Sequence, residues 1–274
     1  MKTLVLANQK GGVGKSAVAT QLAYYLVKCG ARVLVIDLDH QRNSTMPIAL
    51  SKRAVQAPFT ATELLSAGDK SLPEGDFVFV GGDDHLSGLE RQADQHNAYA
   101  NRLNQFLKAN AARFDVCIID TNPNPDIRYA LALILADHVL SPVQLNQEAI
   151  VGIGALLTHP RYGIGRIKQQ FNAKLDLIGM LPNLVEPTPF QRRNFQQLAE
   201  SYARLLIPIG SVLPGTNRQR FAMIPKRTAI AEAQAAGEAL FDVRKTSARE
   251  AWAEVKPVFN AIAKRMSLEI RLDA

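Results

Sequence analysis

The chain has 274 residues, 47% hydrophobic and 21% charged, a balance for which one sizeable α/β domain is more natural than two. No run approaches the ~20 uninterrupted apolar residues of a membrane span, and the first apolar run is a strand's length rather than a signal peptide. Two cysteines, Cys29 and Cys117, make no disulfide framework, so a reduced, cytoplasmic protein is expected; a net charge of +7 and a pI near 9.5 suggest a polyanion partner.

The first element is the apolar run Leu4, Val5, Leu6, Ala7, followed by Gly11, Gly12, Gly14, Lys15 and Ser16 and then by a helical pattern. Strand, glycine loop, helix is the context a phosphate-binding loop requires. Glycines let consecutive backbone N–H groups turn toward phosphate oxygens, and the helix N-terminus adds a favourable dipole. The nucleotide-contacting set is Lys10, Gly11, Gly12, Val13, Gly14, Lys15, Ser16 and Ala17, with Lys15 on the β/γ-phosphates and the Ser16 hydroxyl a direct Mg²⁺ ligand. The usual G-x-x-x-x-G-K-S/T spacing needs glycine at position 9, where Gln9 stands; instead a second lysine, Lys10, opens the loop. This K-G-G-x-G-K-S form resembles the deviant Walker A loop of the ParA/MinD family of P-loop ATPases. The resemblance implies that Lys10 reaches across a nucleotide-sandwich dimer to the partner's ATP, so that Lys10 and Lys15 both serve catalysis.

Residues 17–29 read as an amphipathic helix stopped at Gly30, and Arg32–Ile36 as a parallel strand buried on both faces. That strand ends in Asp37-Leu38-Asp39-His40-Gln41-Arg42-Asn43-Ser44-Thr45. Acids at the C-terminal end of such a strand sit where parallel sheets bind ligands. The stretch resembles the family's D-x-D-P-Q-x-N-x-S/T segment, which implies Asp37 near the metal through water and Asp39 orienting the attacking water. His40 stands where proline is usual and Arg42 where a small residue is usual.

Residues 46–75 are irregular, with a short helix over 61–67 whose Thr60/Thr62/Glu63 opening resembles a cap. Phe77–Val80 is a strand, and 85–108 a polar helical region with Leu103, Phe106 and Leu107 inward; His85 and His96 are surface histidines. Phe114–Asp120 has the form of a Walker B strand whose Asp120 holds the Mg²⁺ shell through water. The family follows it with a proline pair; here Thr121-Asn122-Pro123 keeps one proline and puts Asn122 where the other often stands. That loop is a candidate nucleotide-state switch.

A helix over 126–135, a strand over 137–143, loop or helix-boundary glycines at 152, 154, 163 and 165, and a strand over 175–181 follow. By resemblance Asn183 contacts adenine. A helix over 190–206 buries Phe195, Leu198, Ala199 and Tyr202, and Ile207–Pro214 is a last strand and turn. Ile224-Pro225-Lys226-Arg227, with Glu232 and Ala233 before Gly237, resembles the family stretch near which basic residues touch DNA phosphates. The phosphate-contact candidates are Arg218, Arg220, Lys226, Arg227, Arg244 and Lys245. Over 247–266, Trp252, Val255, Phe259, Ile262 and Met266 repeat at 3-4-3-4 spacing. That stripe reads as a helix docked on its own domain; an interfacial membrane helix, as in MinD, is the rival.

The expected fold is an α/β P-loop NTPase, a mostly parallel twisted sheet with helices on both faces, in one domain over 1–274 without an N-terminal helix-turn-helix. Within the family the resemblance is to plasmid partition ATPases of the IncC-like group. It implies an ATPase using ATP and Mg²⁺, weak alone and stimulated by a ParB-type centromere-binding protein. It further implies a homodimer with ATP, non-specific DNA binding and nucleoid association. A ParA-like positioner of another cargo, or a MinD-like membrane ATPase, is the alternative.

Overall fold

A computed structural model of the chain describes residues 1–210 and 219–271. Strand and helix alternate from the start: β1 (Lys2–Leu6), α1 (Lys15–Lys28), β2 (Val33–Asp37), α2 (Thr45–Ser51), β3 (Val55–Gln56), α3 (Ala61–Ala67) and β4 (Phe77–Val80). Then come α4 (His96–Ala109), β5 (Val116–Asp120), α5 (Ile127–Leu135), β6 (His138–Val143), α6 (Gln147–Thr158), α7 (Ile164–Gln170) and β7 (Asp176–Pro182). The last helices are α8 (Pro189–Tyr202), α9 (Thr228–Ala236) and α10 (Thr246–Arg265). The seven strands form one all-parallel sheet in the order β3-β4-β2-β5-β1-β6-β7.

Period-two alternation sends successive strand residues to opposite faces, and both faces are covered, so β2, β4 and β5 are apolar up to the aspartates that close β2 and β5. Leu4, Leu6, Val33, Val35, Val116 and Ile118 face one layer, with Leu22 and Leu26 of α1 and Val255, Phe259 and Ile262 of α10. Val5, Leu34, Ile36, Cys117 and Ile119 face the other, with Leu103 of α4, Leu131 of α5 and Ile167 of α7. Each such side chain, fully buried, contributes about 1.5–3 kcal/mol. Trp252 of α10 lies edge-on to Tyr25 and Phe241, ring centroids 5.2 Å away in each case. The apolar stripe of α10 is thus spent on α1 and the sheet; Val255, Phe259, Ile262 and Met266 are all buried.

Several elements differ from the sequence expectation. Residues 45–51 form a helix despite Pro47, because a proline in the first turn removes an N–H that has no helical partner anyway. Gly152 and Gly154 lie inside α6 rather than at its boundary; packing of Ile153 and Leu156 into the core overrides the poor helix propensity of glycine. The region from His85 is not α-helical until His96: 3-10 turns cover Asp84–Arg91 and Ala93–Gln95, the first capped by Asp83. In the expected last strand Pro208 makes only an isolated bridge, to Phe221, and Leu206 just before it another, to Met180, while 211–214 lie outside the described residues. Helix α3 opens with a full capping box, Thr60 and Glu63 each accepting from the other's backbone N–H.

Candidate functional site

The register of the sheet places Leu6 beside Asp120 and Asp120 beside Asp37, so β1, β5 and β2 end at one level. The loop that leaves β1 therefore passes directly over two strand-end carboxylates. Strand order does this, since β1 lies between β5 and β6 with β2 one strand further out.

The loop is held by its carbonyls. Asn183 Nδ2 donates to the Val13 carbonyl (2.8 Å), Gln144 Nε2 to Gly12 (3.0 Å) and Lys15 Nζ to Lys10 (3.4 Å). Asn8 ties the entrance to β6, its Oδ1 accepting from Lys10 N–H and its Nδ2 donating to the Pro142 carbonyl, both at 2.9 Å. Among the described residues the N–H groups of Gly14, Lys15, Ser16 and Ala17 have no partner, as a helix N-terminus leaves its first amides. Gly14 has φ +83°, and a Cβ there would stand 2.2 Å from Asn183 Nδ2, so both backbone and space require glycine.

The two lysines differ. Lys15 is 6% exposed; burial lowers its pKa, opposed by the charges of Asp120 and Asp39. Lys10 stands at the mouth, its Nζ donating to Glu148 Oε2 (2.8 Å) and Asn146 Oδ1 (3.3 Å). Glu148 opens α6 and is exposed.

The three aspartates also differ. Asp37 folds the loop after β2: Oδ1 accepts from Asp39 N–H (2.9 Å), Oδ2 from Thr45 N–H (2.9 Å) and the Thr45 hydroxyl (2.6 Å). Its pKa is raised by burial, with those hydrogen bonds opposing. Asp39 accepts from Gln41 N–H through Oδ1 (3.0 Å), and among the described residues its Oδ2 takes no hydrogen bond. Asp120 is wholly buried, and among the described residues neither of its carboxylate oxygens has a hydrogen-bond partner. Burial first, then the charge of Asp37, push it up to about 7, while the Ser16 hydroxyl, Lys15 and the Ser44 hydroxyl pull the other way without closing a well-aligned bond. Orphaned carboxylate oxygens are costly unless a cation meets them. Among the described residues no three His, Cys, Asp or Glu side chains are placed to hold a metal ion between them, so a cation here would draw its other ligands from hydroxyl, water and phosphate.

Beside Gly14 and Ala17 opens a largely apolar cavity of about 840 Å³, lined also by Asn183, Leu184, Pro225 and Thr228. The structure thus brings together Lys10, the 11–17 loop, Asp37, Asp39, Asp120 and Asn183. Of the basic candidates, Lys226 and Arg227 line that same cavity, while Arg220, Arg244 and Lys245 do not. Lys226 pairs with Glu186 (3.3 Å), Arg227 with Glu254 (2.6 Å) and Lys245 with Glu232 (2.8 Å), so three of the expected free cations are partnered. Arg220 and Arg244 are exposed and make no ion pair among the described residues; Arg218 lies outside them. Sequence reasoning missed Asn8, Gln144, Glu148, Thr45 and Arg128. Only proximity in space marks them, apart from Asn8, which lies two residues before Lys10, and Thr45, which closes the segment begun by Asp37 and was given no role of its own.

A family model described as an AAA domain matches residues 1–177. Protein IncC of Escherichia coli is 34% identical over 98% of this chain and 71% of its own length. The chromosome partitioning protein ParA of Caulobacter vibrioides is 30% identical over 74% of each chain. In structure, the ATP complex of Cyanothece McdA superposes with a TM-score of 0.75 at 21% identity, over 98% of this chain and 97% of that one.

Proposed function

The chain belongs to the ParA/MinD-type partition ATPases, close to the plasmid ParA proteins, and from that premise we propose that it is an ATP-switched DNA-partition motor. The observation that carries the reading is the division of labour between two lysines of one loop: Lys15 buried beside Asp120 and Asp39, Lys10 at the exposed mouth. A lysine inside the loop serves its own nucleotide. One at the rim, held by an exposed glutamate, exchanges that partner for a nucleotide held by a second copy, which makes ATP the glue of a homodimer.

The amides at the start of α1 take the phosphates, and the cavity lined by Asn183, Leu184 and Pro225 takes the nucleoside. The orphaned oxygens of Asp120 and the Ser16 hydroxyl fit Mg²⁺, with Ser16 the direct ligand and Asp120 and Asp37 acting through water. When bound, the ion neutralises charge on the β- and γ-phosphates. Lys15 stabilises charge on the transferring phosphoryl group, and the free Oδ2 of Asp39 orients the attacking water. Hydrolysis, slow alone and stimulated by a ParB-type partner, separates the dimer.

ATP-bound dimers join two basic surfaces and hold DNA through its phosphates, without sequence readout, giving nucleoid association. Arg220 and Arg244 are the exposed arginines available; Lys226, Arg227 and Lys245 contribute if their glutamate partners yield to phosphate. A membrane-binding role finds less support, because the apolar residues of α10 are buried and no described helix is long and apolar enough to cross a membrane.

The test is a DNA titration with ATP, ADP and no nucleotide, at two salt concentrations, alongside light scattering for mass. ATP-dependent dimers that bind all sequences, more weakly at high salt, are expected. A chain that stays monomeric in saturating ATP and Mg²⁺, with DNA binding indifferent to nucleotide, overturns the reading.

A further inference from the structure

One buried arginine is unused by the mechanism above. Arg128, the second residue of α5, is 3% exposed. Its Nε and Nη2 grip the Asp126 carboxylate, the shortest contact 2.5 Å. Nη1 turns away from that partner and reaches the loop after β2, donating to the Leu38 carbonyl (3.4 Å) and to His40 Nδ1 (3.3 Å). Leu38 and His40 are the residues on either side of Asp39.

A guanidinium only donates, so His40 Nδ1 accepts and the ring proton belongs on Nε2. The same Nδ1 stands 3.4 Å from Asp39 Oδ1. With no proton on that nitrogen, the ring edge is a wall beside Oδ1, which is already anchored by Gln41 N–H. One Asp39 oxygen is fixed and the other is left free. At the far end, Asp126 also accepts from Asn122 Nδ2 (3.0 Å), so the loop after Asp120 hangs on the same arginine, and Asn122 Oδ1 is buried without a partner. His40 and Asn122 are two positions where this chain departs from the family pattern, and one hydrogen-bonded path joins them.

We propose that His40 and Arg128 are positioning residues for hydrolysis: they fasten the chain on both sides of Asp39 to the start of α5 and so set where its free oxygen points. Asp126 caps α5 and pairs with Arg128 without help from His40, so the extension to the Asp39 loop is not needed to satisfy that pair. The proposal rests on reading Asp39 as the residue that orients water. Misplacing such a group by about 1 Å is enough to slow a reaction on the order of a hundredfold.

Arg128→Met strands the Asp126 charge and risks misfolding, so His40 carries the test. On the full chain, ATP turnover and the affinity for a fluorescent ATP analogue are measured for wild type, His40→Leu, His40→Asn, Asp39→Ala and the double variant His40→Leu/Asp39→Ala. His40→Leu should lower kcat about tenfold or more with nucleotide affinity held within about twofold. His40→Asn, whose side-chain oxygen can accept from Arg128, should recover most of it, and the double variant should be no slower than Asp39→Ala. Unchanged kcat in His40→Leu, an equal fall in nucleotide affinity, or additive losses in the double variant overturns the proposal alone. A wild type that binds ATP but never turns it over overturns the ATPase reading and this proposal with it.

Discussion

Lys10 Nζ sits 2.8 Å from Glu148 Oε2 of the same chain, so the lysine that would clasp a second subunit is held by its own fold. Glu148 is 85% exposed in that pair, and an ion pair so open to water holds weakly. Lys10→Ala should leave nucleotide binding to the single chain intact while abolishing ATP-dependent dimers, read by light scattering. Glu148→Gln should leave the thermal midpoint unchanged.

Lys15 is buried with Asp120 and Asp39 as its nearest countercharges. Lys15→Ala should lower affinity for ATP by at least about a hundredfold, the order expected for losing a charge-assisted contact in a desolvated site. A fluorescent nucleotide titration checks it, and wild-type affinity in the variant removes the phosphate-loop assignment.

Gly14→Ala puts a methyl group against Asn183 Nδ2 at a positive φ. The backbone strain costs about 1–3 kcal/mol, and the displaced amide releases the Val13 carbonyl. Urea midpoint and nucleotide affinity should both fall. Adding Asn183→Ala should relieve the clash but not the φ strain, restoring part of the stability.

Asp120 is raised to about 7 in the folded, nucleotide-free chain against 3.8 in the unfolded one. Between those values the folded state holds the extra proton, so this group stabilises the fold as pH falls through 7 toward 4 and destabilises it as pH rises. Above pH 7 the penalty is complete. Denaturant unfolding at pH 5 and pH 8 should show wild type losing stability across that interval relative to Asp120→Asn. Mg²⁺ with ATP should reverse the sign, because a bound cation favours the ionised carboxylate.

Phe259→Ala in α10 removes a side chain that is 1% exposed and packed against Tyr25 and, edge-on, Trp252. It should cost about 3–5 kcal/mol in unfolding free energy. The same helix in the wild-type protein should not carry the chain down with sedimenting anionic liposomes. Co-sedimentation lost on Trp252→Glu would revive the membrane alternative.

Read alone, the sequence settled whatever depends on neighbours along the chain. Glycine spacing before Lys15 and Ser16, apolar runs ending in Asp37 and Asp120, and the capping pattern at Thr60 all act within a few residues, where geometry follows directly from residue type. Only the tertiary structure decided which of those groups remain free. Asn183 closes on Val13 across 170 residues of sequence, Lys10 on Glu148 across 138, and Arg128 on His40 across 88. Such pairings are set by strand order and register, which hydrophobic alternation does not encode. The same limit explains the basic residues. Counting charges could not reveal that Lys226, Arg227 and Lys245 each face a glutamate, nor that Asp37 braces its own loop while Asp120 is left bare.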